Sequence, residues 1–431
     1  MFLNVNTPFS VFLCGSQGSG KSHTLSCILE NCVMTSPMLG RNPSPLAGLV
    51  FHFDRMAGES VAEPAYLGSH IQTRVLVSPS NLGRMSNAYT KLKLGSRLTV
   101  EPLYLLPRHL NTERIKRLMA VGKSSEMPLY MHVIVRILRD MALACGGQAV
   151  FSWAQFRDAV RRERLTAGQN GPLNLRMDLI ESFMKREGRV TVQPAQPAGQ
   201  GWRGGKRGRR PQPQTQNIIN ETGEDLVGKE GVLTIVDLTD PVIDPDSACA
   251  LFDIVLSIFV EQTKCGKVVA LDEAHNYMSA KSEAATEFTN TILKNVREQR
   301  HKAVRVIVAT QEPSITPALL DLCSCTIVHR FTSPAWMAAI RQHLAGAHYA
   351  QRAAADNENA LGQPVPETIG ANDALMKEVV RLRVGESLLF CPTAALGVTS
   401  NGGVEKLHEG YVKHKTRARL TADGGKSKMA N

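Results

Sequence analysis

The sequence predicts an α/β fold: a mostly parallel central sheet flanked by helices, with an all-helical insertion. Three observations predict it. Short apolar runs of strand length recur along the 431 residues, and several end in polar groups, as the strands of a parallel sheet do at their working edge. The first such run enters Gly15-Ser16-Gln17-Gly18-Ser19-Gly20-Lys21-Ser22, a G-x-x-x-x-G-K-[ST] pattern that belongs between a buried strand and a helix. One long stretch, by contrast, shows helical spacing alone.

The elements follow in chain order. Phe9 to Cys14 reads as a buried strand and Ser22 to Val33 as the helix leaving the loop. A loop that wraps a polyphosphate must aim backbone N–H groups inward, and glycine lets the chain turn tightly enough to do so. The pattern therefore implies a nucleoside triphosphate, and the absence of an N-K-x-D element disfavours guanine, leaving ATP. Gly15, Ser16, Gln17, Gly18, Ser19, Gly20, Lys21, Ser22 and His23 are the candidate nucleotide-binding residues. Lys21 would meet the β- and γ-phosphates, and the Ser22 hydroxyl would hold Mg²⁺.

Further strands are expected at Leu49–Phe53, Arg74–Val77 and Pro102–Leu106. Apolar residues then recur at helical spacing from Asn111 to Gly188, as in Ile115, Leu118 and Met119, so 108–189 is expected to be a helical insertion. Its Arg161, Arg162 and Arg164 suit phosphates or a solvated helix face. From 190 to 228 the composition turns to Pro, Gln and Gly around the basic run Trp202 to Arg210, which reads as a disordered loop. Such a run serves as a nuclear address, a nonspecific phosphate-binding arm or a plain linker. Residues 1–107 and 229–431 are left to form the core.

Gly266 to Leu271 is an apolar strand that runs directly into Asp272-Glu273-Ala274-His275. A buried strand ending in two carboxylates places the first beside a metal and the second where it polarises a water. Asp272 is thus assigned to Mg²⁺ and Glu273 to the general base, against the plainer reading of two acids capping a helix. Arg297-Glu298-Gln299-Arg300 closes a helix, and Val304 to Gln311 forms a strand whose terminal Gln311 could orient the water or sense the γ-phosphate. Arg297 and Arg300 are either arginine fingers or helix-face ion-pair partners. Cys325 to Arg330 is a further strand with the same ambiguity at Arg330.

With these motifs in order, the chain resembles the HerA-FtsK superfamily of P-loop ATPases, on its HerA-like side. The resemblance rests on Asp272 to His275, Arg297 to Arg300, Ala309 to Gln311 and His329-Arg330, together with the strand Gly231 to Thr239 and the turn Leu382 to Ser387. It implies a RecA/FtsK-like P-loop NTPase fold, ATP hydrolysis with Mg²⁺, and a homo-oligomeric ring, hexameric by preference, acting as a DNA translocase or helicase. It also implies that Arg417 and Arg419 contact a neighbouring subunit's nucleotide. There are departures. The family's Asp-Pro-His-Gly-Glu is replaced by Asp54 and Gly58-Glu59 with one extra residue between, Gln299 stands where the family has glycine, and the stretch before the loop leaves no room for an amino-terminal β-barrel.

Composition narrows the function. A net charge of +11 favours an anionic partner such as DNA, while only 5% aromatic residues argue against stacked single-strand platforms. Nine cysteines without a C-x-x-C give no zinc site. No apolar run approaches the roughly 20 residues of a membrane helix, and the first apolar residues feed the phosphate loop rather than a cleaved signal. The expectation is an intracellular ATP-driven motor, cytoplasmic unless the basic run is a nuclear address. The alternative is a nucleotide-gated scaffold that recruits an unidentified protein partner.

Overall fold

The computed structural model describes residues 3–54, 60–120, 130–144, 151–184, 226–261, 264–278, 282–312, 317–344, 370–399 and 401–424. Its strands are β1 (Ser10–Cys14), β2 (Ala47–His52), β3 (Thr73–Val77), β4 (Leu98–Pro102), β5 (Leu233–Asp237), β6 (Lys267–Leu271), β7 (Val304–Thr310), β8 (Cys325–His329), β9 (Glu386–Phe390), β10 (Ala395–Val398), β11 (Val404–Lys406) and β12 (Val412–Lys415). Ten of them form one sheet in the order β12-β9-β8-β1-β7-β6-β2-β5-β3-β4, and β10 pairs with β11 apart from it. The strands from β8 to β4 run parallel, while β9 runs antiparallel to β8 and β12 antiparallel to β9. The inner strands are buried along their whole length, as Val-Arg-Val-Ile-Val-Ala-Thr in β7 is, which a sheet covered on both faces requires.

Alternation along each strand divides the core into two layers. Phe12, Leu49 and Phe51 join the layer containing Phe252 and Phe288, from α7 (Pro245–Glu261) and α8 (Glu283–Arg297). Leu13, Val50 and Ile307 join the opposite layer with Leu25 and Leu29 of the helix Lys21–Val33, here α1. Between α1 and α7 lie α2 (Leu82–Thr90) and four helices that stand between β4 and β5, α3 (Thr112–Ala120), α4 (Tyr130–Ala144), α5 (Trp153–Arg162) and α6 (Ala167–Ser182). Their residues Ile134 and Phe156 extend the first layer.

One expected strand is displaced. The ladder residues next to β3 are Leu98–Pro102, not Pro102–Leu106. Leu103 N still donates to Val77 O at 2.8 Å, but Leu105 N turns to Phe183 O at 2.8 Å. The apolar alternation of Leu103 and Leu105 thus serves packing beneath the helices, whereas the real strand, Leu98-Thr99-Val100-Glu101-Pro102, is a half-buried edge with the same alternation, so alternation alone does not choose between the two adjoining runs. Glu101 there pairs with Arg74 at 3.4 Å.

At the antiparallel edge Thr326 is paired with Phe390, which sets Cys325 and Cys391 opposite each other. The Cys325 thiol, as donor, and the Thr393 hydroxyl pull the Cys391 thiol down to about 6 against the opposing effect of burial, while burial pushes Cys14 and Cys32 up to about 12. Iodoacetamide at neutral pH is therefore expected to label Cys391 ahead of the other described cysteines in peptide mapping. Equal labelling at Cys391 and Cys265 would contradict this.

Candidate active site

Glycine is required where the loop leaves β1. Gly15 has φ +152° and a Cβ there would lie 2.6 Å from His329 Cβ, while at Gly20, with φ +106°, it would lie 3.0 Å from Gly385 N. The loop is thereby seated on the ends of β8 and β9. Ser16 donates through N and Oγ to Arg330 O at 2.9 and 2.8 Å, and Gly385 N donates to Ser19 O at 3.2 Å. Burial drives the neighbouring His329 down to about 3, with Lys21 and His414 acting in the same sense, so a neutral ring lines the back of the loop.

Lys21 opens α1 and is 5% exposed, with Nζ donating to Ser16 O at 3.1 Å. Burial lowers its pKa, and the Glu273 and Asp272 carboxylates oppose that shift. These carboxylates come from the end of β6, two strands from β1 with β7 between them. Asp272 is 3% exposed, its N donates to Phe51 O at 2.9 Å, and its Oδ1 is buried with no hydrogen-bond partner among the described residues. Glu273 is held at φ 47°, a left-handed conformation costing a non-glycine residue about 1–2 kcal/mol. Gln311, just beyond β7, donates through Nε2 to Glu273 Oε2 at 3.3 Å, and His275 Nδ1 lies 3.4 Å from the same oxygen. Lys21, Asp272, Glu273 and Gln311 therefore meet at the carboxyl edge of the sheet beside the glycine loop. The Ser22 hydroxyl and the partnerless Asp272 oxygen are hard oxygen donors of the kind Mg²⁺ takes when it rides on phosphates.

Other candidates stand elsewhere. The His23 ring faces the carboxyl-terminal segment, with Nε2 2.9 Å from Arg417 O and Nδ1 3.5 Å from Asp423, so only its backbone remains with the loop. The fifteen-residue helix α8 leaves the carboxylate edge and runs back about 22 Å to the start of β7. Lys267, the first residue of β6, donates from N to Ala303 O and from Nζ to Lys302 O, both at 2.9 Å, which places Arg297 and Arg300 at the amino edge of the sheet. Neither reaches the phosphate loop of its own chain. Both are exposed, and neither forms an ion pair among the described residues, so the helix-face pairing is not seen either.

Arg417 and Arg419 are used within the chain. A segment running from Thr416 to Gly424 straps α1: Arg417 pairs with Glu30 at 2.6 Å, and Leu420 N and Thr421 N donate to Glu30 Oε1 at 3.1 and 2.9 Å. Arg419, 1% exposed, pairs with Glu63 at 2.6 Å. Burial pushes the fully buried Glu30 carboxyl up, but the Thr421 and Arg417 bonds outweigh it and hold the group below its ordinary value. Asp54 N donates to Thr239 Oγ1 at 3.1 Å. Gly58, Glu59 and the basic run Trp202 to Arg210 lie outside the described residues.

Sequence reasoning missed a polar row beside Asp272. His52 ends β2 in register with Asp237, which ends β5, and Tyr89 donates to Asp237 Oδ2 at 2.6 Å. Burial pulls the His52 ring down, yet Asp237 and Asp272 outweigh it and lift the ring to about 9. The signal was available: both residues are polar ends of apolar strands, the same cue that marked Asp272 and Gln311.

No helix among the described residues is long and apolar enough to cross a membrane. No family model matches the chain, and no curated protein matches it. Among solved structures it is similar to VirB4 of Thermoanaerobacter pseudethanolicus, with 13% identity and a TM-score of 0.51 over 97% of this chain and 92% of that one. The plasmid coupling protein TrwB in complex with ADP and Mg²⁺ aligns at 11% identity and a TM-score of 0.43, over 96% and 86%. The likeness to VirB4 is one of fold, and the fold is that of a P-loop NTPase with a mostly parallel sheet.

Proposed function

We propose that the chain is a Mg²⁺-dependent ATP hydrolase of the HerA-FtsK type, a ring-forming motor that translocates or remodels DNA. One observation carries the reading: a glycine cradle, Lys21, Asp272, Glu273 and Gln311 converge at one edge of a parallel sheet whose loop strand and carboxylate strand are separated by a third. The backbone N–H groups of Gly15 to Ser22 wrap the phosphates, and Lys21 leaves the Ser16 carbonyl to meet the β- and γ-phosphates. Ser22 and Asp272 would hold Mg²⁺, which when bound offsets phosphate charge. Glu273 accepts a proton from the water that attacks the γ-phosphorus, Gln311 holds that water in line, and the bond to the ADP oxygen breaks.

Arg297 and Arg300 face outward at the opposite edge, where in a ring they would serve a neighbour's nucleotide rather than their own. Such an arginine adds about 10³–10⁵ in rate, so assembly, hexameric by preference, would control activity. The net charge of +11 supports DNA as the polymer. The same distance between the arginines and the chain's own loop also favours a second reading, a nucleotide-gated scaffold with little translocation that recruits a protein partner. Steady-state hydrolysis without nucleic acid, with single-stranded DNA and with duplex DNA separates them. Stimulation of several-fold or more by DNA is expected for the motor, and hydrolysis indifferent to both DNAs supports the scaffold.

A further inference from the structure

Parallel pairing across β6, β2 and β5 puts three ionisable side chains in one row. Phe51 is paired with Leu271 and His52 with Asp237, so the next residue of the β6 chain, Asp272, is level with His52. The row is closed to solvent: Asp272, His52 and Asp237 are 3%, 4% and 0% exposed. Its far end is fixed, because Asp237 accepts from Tyr89 Oη at 2.6 Å and from Thr239 N at 3.0 Å. Tyr89 is fixed in turn by Ala62 N, which donates to its Oη at 3.1 Å.

Its near end is looser. His52 Nδ1 stands 3.5 Å from Asp272 Oδ2, both ring nitrogens lack a conventional hydrogen bond, and Asp272 Oδ1 is buried without a partner. A buried carboxylate with one oxygen facing an imidazole and the other uncommitted is an oriented ligand, since the imidazole selects which oxygen is left over. Outer-shell donors of this kind set metal affinity without touching the metal.

Resting on the reading of this site as a Mg²⁺–ATP site, we propose that His52 is a positioning residue that holds Asp272 Oδ2 so that Oδ1 is presented to the divalent cation. On its other side His52 is level with the anchored Asp237. Nucleotide held only by the glycine loop and Lys21 is indifferent to it. The effect therefore lies in cation affinity, not in affinity for metal-free nucleotide.

The test compares wild type with His52→Phe and His52→Leu, which fill the space without donating, and with His52→Gln, whose amide can donate. Affinity for a fluorescent ATP analogue is measured in EDTA, and Mn²⁺ binding to the nucleotide-loaded protein is measured by electron paramagnetic resonance. Expected are EDTA affinities within about twofold of wild type, Mn²⁺ binding weakened about 10–100-fold in the Phe and Leu variants, and partial recovery in Gln. Should one apolar variant fail to fold, the other carries the comparison. Mn²⁺ binding within twofold of wild type in a folded apolar variant, or an equal loss in Phe, Leu and Gln, overturns the positioning role. A wild type that binds nucleotide without drawing in Mn²⁺ instead overturns the site reading, and the inference with it.

Discussion

Replacing Glu273 by glutamine is expected to cut steady-state ATP hydrolysis by about 10²–10⁴-fold while ATP binding persists, because the change removes a proton acceptor and little else. The amide has nearly the volume of the carboxyl, and the backbone bond from Asn276 N to Glu273 O at 2.9 Å that supports the left-handed turn does not involve the side chain. Gln311 Nε2 keeps an oxygen to donate to. The measurement is phosphate release at saturating ATP beside binding of a fluorescent ATP analogue. Hydrolysis within twofold of wild type would remove Glu273 from the chemistry, and loss of binding would make its role structural.

Lys21→Ala is expected to weaken ATP binding by about a hundredfold or more and to abolish hydrolysis at moderate ATP concentrations. The Lys21 ammonium is nearly buried, and the electrostatic influence of Asp272 and Glu273 on it places all three groups in one neighbourhood. Removing it takes away the phosphate contact and leaves two carboxylates without their nearby cation, so a polyphosphate would enter against uncompensated negative charge. Truncating one partner of a hydrogen-bonded charge pair across a binding interface, here Lys21 against the phosphates, costs about 2–5 kcal/mol, and each 1.4 kcal/mol is a factor of ten in affinity. Isothermal titration with ATP checks it. An affinity within threefold of wild type would show that the loop backbone alone holds the nucleotide.

The sheet and the centre of the site were legible because their information is local. A strand must alternate or run apolar, a phosphate loop must carry glycine where its Cβ would strike His329 or Gly385, and a strand that ends in Asp-Glu advertises both groups. What escaped depends on distant partners. The His23 ring was grouped with the loop by adjacency, yet it faces Arg417 and Asp423, nearly 400 positions away. Arg297 and Arg300 share a motif with the site but sit at and just beyond the far end of α8, since a helix between two parallel strands must return to the opposite edge. Leu103 and Leu105 resembled a strand because alternation reports burial, and burial beneath helices satisfies it as well as a ladder does.

The strap over α1 sets a timetable. The buried Glu30 carboxylate of α1, the helix that carries Lys21 and Ser22, acquires Arg417, Leu420 and Thr421 only about 390 residues after it is itself translated. At ribosomal speeds of about 5–20 residues per second that interval is roughly 20–80 s. Throughout it Glu30 must keep its water, and the outer side of the nucleotide helix stays unsealed. The nucleotide helix is finished only after the strap has been translated, so a nascent chain carries it open on one side for that whole interval.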